Sequence, residues 1–160
     1  MTLHILVYDH DPDICAMLER VILARFEAVE VFSTNDLITA LFHVDHQKPQ
    51  IVITEAIPEM DVFHPMDVQT GDLGSVLINH VRLHQDEQIR QTMLIVAVSR
   101  LLDCVPIEFL ACIGDIGAVL YTPALIDYLP EMIAAARMRF ARKPRECTRI
   151  CNCVDLCTCP

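Results

Sequence analysis

Five short apolar runs, each followed by a stretch long enough for a helix or a loop, constrain this sequence more than any other feature. They are His4–Tyr8 (HILVY), Ala28–Phe32 (AVEVF), Ile51–Thr54 (IVIT), Met93–Ser99 (MLIVAVS) and Ala118–Tyr121 (AVLY). Runs this short, rich in β-branched residues and ending in polar ones, read as buried strands. The intervening segments change period. Ile14, Met17, Leu18, Val21 and Ile22 recur at three and four residues, predicting a helix to about Arg25 with Asp11 as its N-cap and Pro12 in its first turn. Ser33 with Asp36 reads as a capping box before a second helix carrying Leu37, Ile38, Leu41 and Phe42. Leu77, Ile78 and Val81 predict a helix over about Ser75–His84, and Val105–Cys112 predicts a short apolar one. A last helix runs to about Arg142, with Pro130 where it must begin or kink.

Strands alternating with helices predict an α/β fold, a parallel sheet covered on both faces. In such folds ligands gather beyond the carboxyl ends of the strands, at the point where strand order reverses. The residues to read are therefore Asp9-His10-Asp11, Ser33, Glu55, Ser99 and Thr122-Pro123.

Four segments carry a family likeness in order along the chain: ILVYDHDPDI, PQIVITEAIPEMD, IVAVS and YTP. Together they resemble the receiver domain of bacterial two-component response regulators over roughly residues 3–140. The resemblance implies a flavodoxin-like, five-stranded parallel sheet with helices on both faces. It also implies self-phosphorylation on an Asp, which needs a carboxylate nucleophile, a Mg²⁺ held by acidic residues, a Lys and a hydroxyl. By that likeness the pocket comprises Asp9, His10, Asp11, Glu55, Ser99 and Thr122. Asp9 and Ser99 match the family pattern. His10 stands at the direct Mg²⁺ ligand, although imidazole suits zinc, copper or nickel better. Asp11 falls one position late. Glu55 replaces the acceptor Asp, its carboxylate displaced by roughly an ångström, an error worth about a hundredfold in rate. Counting back from Pro58 puts Thr54 at the acceptor instead. Thr122 replaces the Lys, and the chain's other lysines are only Lys48 and Lys143. Three departures out of five positions predict a pseudo-receiver that keeps the fold without phosphotransfer, with no cofactor in its pocket and no enzymatic activity. The alternative within the family is an active receiver using Glu55 as its acceptor.

Two segments lie outside the likeness. The stretch from Glu55 to Ser99 is longer than receivers usually have, the extra residues falling near 62–73 (VFHPMDVQTGDL), where a lid, a docking loop or a plain surface insertion all fit. The chain then divides into a receiver-like body, 1–142, and a tail, 143–160. Five of the eight cysteines, Cys147, Cys151, Cys153, Cys157 and Cys159, crowd the last fourteen residues, the last four of them as two C-x-C pairs. Thiolates so close can hold zinc or an iron–sulfur cluster, or oxidise, and nearby Arg and Lys favour both. This gives a reading from another class, a metal- or redox-responsive sensor. Cys15, Cys104 and Cys112 sit in apolar settings and read as core.

Charge and length exclude other classes. From residue 137 onward six Arg and Lys face two acids, so the body is more acidic than the chain's −10. An acidic body disfavours nucleic acid. No apolar run reaches the length of a membrane span, and the N-terminus lacks a basic leader, so a reducing, cytoplasmic setting is expected. No Ser-His-acid or H-E-x-x-H arrangement supports a hydrolase. By family resemblance, output would pass through the fourth helix, fifth strand and fifth helix to a signalling partner or a second copy. Phe109, Leu110, Leu125, Tyr128, Met132 and Ile133 make that region apolar.

Overall fold

The apolar runs become five parallel strands. The computed structural model describes residues 2–55, 73–98 and 118–141. The strands are β1 (Leu3–Tyr8), β2 (Val29–Thr34), β3 (Ile51–Glu55), β4 (Met93–Val98) and β5 (Ala118–Tyr121). They form one sheet in the order β2-β1-β3-β4-β5. The helices are α1 (Pro12–Arg25), α2 (Leu37–Gln47), α3 (Leu73–Leu83), the single turn α4 (Glu87–Arg90) and α5 (Thr122–Ala141). This is the expected flavodoxin-like α/β architecture.

Side-chain alternation divides the apolar residues between two cores. Leu3, Ile5, Val7, Ile51, Ile53 and Ile95 meet α1 and α5 through Cys15, Leu18, Ile22, Leu125, Leu129 and Ile133. The intervening positions, Leu6, Tyr8, Val52, Leu94 and Val96, meet α2 and α3 through Ala40, Val44, Leu77, Ile78 and Val81. A residue buried this way contributes roughly 1.5–3 kcal/mol relative to exposure. Both cores fix the strand register, because a one-residue slip would exchange their side chains.

Four local expectations are corrected. The second helix does not start with a box at Ser33. That residue lies within β2, and its hydroxyl donates to the Glu19 carboxylate. Asp36 is the N-cap instead, its Oδ2 accepting the Thr39 amide at 2.8 Å. Of the two alternatives for Pro130, beginning the last helix is excluded, since α5 runs through it. Leu73, expected in the insertion, opens α3. Leu125 and Ile133, expected on an output surface, are buried: with Leu129 and Ala136 they form the stripe of α5 that faces the sheet. The turn α4 had no apolar period to announce it, only its Asp86 N-cap, whose Oδ1 accepts from Gln88 at 2.8 Å.

Phe109 and Leu110, the expected helix Val105–Cys112, most of the insertion and the Cys tail lie outside the described residues. Among the described residues, no helix is long and apolar enough to cross a membrane.

Candidate functional site

The chain steps from β1 outward to β2, then returns across β1 to β3, so strand order reverses between β1 and β3. Their register pairs Tyr8 with Thr54. The next residue of each strand line is a carboxylate, which brings Asp9 and Glu55 side by side at the reversal. Asp9 is buried, whereas His10 beside it is largely exposed.

His10 turns back over both acids. Its Nδ1 contacts Glu55 Oε1 and lies 3.4 Å from Asp9 Oδ1, while its backbone N–H donates to the same Glu55 oxygen at 3.2 Å. Bonding to Glu55, reinforced by the charges of Glu55, Asp9 and Asp11, raises the pKa of His10 above its ordinary value. Burial is the main cause that raises the Asp9 carboxyl, and Glu55 adds to it. The Asp11 amide, donating to Asp9 Oδ1 at 2.9 Å, and the His10 charge pull the other way.

The remaining expected residues divide. Asp11 turns to α1, its Oδ1 accepting the Asp13 amide at 2.9 Å, as its reading as N-cap required. Thr54 is buried on the α2–α3 face, its hydroxyl donating to the Glu55 carbonyl at 3.0 Å, so it is no acceptor. Thr122 opens α5 directly after β5. Ser99 and Cys147, Cys151, Cys153, Cys157 and Cys159 lie outside the described residues. Lys48 pairs with Asp86 at 2.6 Å, next to the amino-terminal ends of β3 and β4 and so at the opposite edge of the sheet. Among the described residues, then, no lysine enters the pocket.

Two participants were not read from the sequence. Cys15, expected only as core, also donates its thiol hydrogen toward the carbonyls of Asp9 and Thr34, at 3.4 and 3.3 Å, tying the acidic loop to the end of β2. Burial raises its pKa, which favours the thiol form. Gly74 is the other: a Cβ there would fall 1.7 Å from the Glu55 carbonyl oxygen. Only glycine permits α3 to start against the acceptor position. A lone glycine just before an apolar helical stripe was its one sequence signal.

Asp9, His10 and Glu55 bring their donor atoms within 4.8 Å of one another. A receiver would hold Mg²⁺ here. Mg²⁺ demands oxygen donors in near-octahedral array. In this pocket an imidazole takes the ligand position and holds Glu55, while Asp11 is committed to its helix. The residues do not fit Mg²⁺.

No family model matches the sequence, and no curated protein does either. Solved structures do match. The response regulator domain of Thermotoga maritima CheB is similar at a TM-score of 0.60 and 14% identity, over 90% of this chain and all of that one (100%). The isolated REC domain of RcsB from Salmonella enterica serovar Typhimurium gives 0.61 and 18%, over 90% and 93%. A Francisella response regulator receiver domain gives 0.60 and 20%, over 87% and 99%. The chain therefore has the fold of response-regulator receiver domains, as its motifs led one to expect.

Proposed function

We propose that this chain is a signal-transduction module of the receiver type that acts through protein contact and without aspartyl phosphorylation. One observation carries the reading: the His10 imidazole lies against Glu55 and Asp9, so the group at the acceptor position is already hydrogen-bonded to a ring whose pKa those acids raise. Phosphoryl transfer to a carboxylate depends on positioned charge, supplied in receivers by a metal and a lysine. Here an imidazole from the chain itself takes that place, where the incoming phosphoryl group would need access. A glutamate also carries its oxygens farther from the strand than an aspartate.

The signal is then read from a surface. On α5, Tyr128 and Met138 are large apolar side chains more than half exposed, so that helix offers contacts to a signalling partner or a second copy. The test is incubation of the full chain with acetyl phosphate and Mg²⁺ followed by intact mass. The expected result is no added phosphoryl group. A phosphoryl adduct that disappears in Glu55→Gln would overturn the proposal and make Glu55 an acceptor.

A further inference from the structure

We propose that Asp45, His80 and His84 form a binding site for a borderline divalent transition ion, zinc in the first instance, that joins the ends of α2 and α3. The three residues belong to different elements and have no part in the pocket. Asp45 lies in the last turn of α2, His80 in the last turn of α3, and His84 one residue past its end. Ala40 and Val44 of α2 pack with Leu77, Ile78 and Val81 of α3 on one face of the sheet, which places these helix ends together.

The geometry is that of a convergent donor set. Asp45 Oδ1 is 2.6 Å from His80 Nε2 and 3.5 Å from His84 Nε2, and one donor atom from each residue lies within 4.8 Å of the others. Tetrahedral zinc with bonds of about 2.0–2.1 Å holds its ligands roughly 3.3 Å apart. The His84–Asp45 spacing already meets that value, and the His80–Asp45 pair must open by less than about 1 Å. His84 follows directly on the last turn of α3, so the chain brings its ring beside that of His80, with ring centroids 5.3 Å apart. Two imidazoles and one carboxylate favour zinc, nickel or copper over Mg²⁺ or Ca²⁺. The two imidazoles are only partly exposed, His84 at 23%, whereas Asp45 is exposed; Val76, Asn79, Leu83 and Gln85 line the groove beside them. That groove leaves room for water at a fourth coordination position.

Binding has a defined proton and hydrogen-bond cost. His84 Nδ1 accepts the Asp86 amide at 3.0 Å, so the neutral ring carries its hydrogen on Nε2. To ligate through Nε2, the ring must move that hydrogen to Nδ1 and release the Asp86 amide. The Asp86 amide therefore reports occupancy of the site independently of any activity.

The experiment is a zinc titration of the full, reduced, isotope-labelled chain. It is followed through the imidazole resonances of His80 and His84 and the amide of Asp86, against His80→Gln/His84→Gln and the milder Asp45→Asn. Zinc is expected to shift all three reporters together. The double substitution should abolish the shifts, and Asp45→Asn should weaken binding by at least roughly tenfold, the cost of disturbing even an outer partner. His84→Gln alone keeps the His80–Asp45 bond and serves as the folded control if the double variant is unstable. Zinc uptake that leaves these reporters unmoved, or is equal in wild type and variants, would overturn the site and place the metal elsewhere in the chain. No uptake at all would overturn it too.

Discussion

His10 concentrates the electrostatics of the pocket on one ring. Because its pKa is raised in the folded state by Glu55, the pair's contribution to stability is fully present below the ordinary histidine value of about 6.5. It is lost as pH rises through the raised value. With a ring this exposed the contribution is small, on the order of a few tenths of a kcal/mol. The sensitive measurement is therefore the titration itself. Followed by NMR, His10 should titrate above ordinary histidines, and Glu55→Gln should return it toward about 6.5. An unchanged midpoint in that variant would mean that Glu55 does not hold the ring. At this scale the sequence was partly legible. The residue types at 9, 10 and 55 stood out, but their contact depended on the register of β1 against β3, which no local pattern encodes. Gly74 left only the trace of a glycine before an apolar stripe, since its need arises from a backbone brought near by the fold.

At the scale of elements, α5 explains how a proline survives inside a helix. Pro130 has no N–H, so the carbonyl four residues back, that of Ile126, loses its helical donor. Arg25, the last residue of α1, directs Nη1 to that carbonyl at 3.4 Å. One helix end thus supplies the other helix with the donor it lacks. Pro130→Ala restores an amide there and is expected to raise stability by about 1–2 kcal/mol, the helical gain being offset partly by a freer unfolded chain. Arg25→Ala should cost about 0.5–1.5 kcal/mol in the native chain and clearly less beside Pro130→Ala. Chemical denaturation of the four proteins checks both numbers, and simple additivity would remove Arg25 from the account. Strands and long helices were legible because apolar period announces them. Helix starts were less so: Ser33 and Asp36 are both good caps, and it was the two further residues of β2 that decided between them. α5 showed its stripe in the sequence, yet whether Leu125 and Ile133 faced a partner or the sheet depended on which side of the helix the sheet lay.

At the scale of the molecule, the sheet separates two cores that share few side chains. Ile22 belongs to the α1–α5 side and Ile78 to the α2–α3 side, both fully buried. Trimming one methylene at each, Ile22→Val and Ile78→Val, should cost about 0.5–1.5 kcal/mol apiece. Across the sheet the two costs should add to within about 0.5 kcal/mol in the double variant. A coupling well above that in urea titrations would show that the sheet transmits strain between its faces.

Glu55 and Gly74 meet at the backbone, so the described chain breaks off and resumes at nearly one point of the domain. The fold itself fastens those two points together. Joining two such points costs entropy only logarithmically in the length of the connection, about 0.6 kcal/mol for each doubling. The sheet is therefore insulated from how much sequence is placed there. New residues can be accepted at that junction, and tried for new contacts beside the pocket, without renegotiating the fold that carries them.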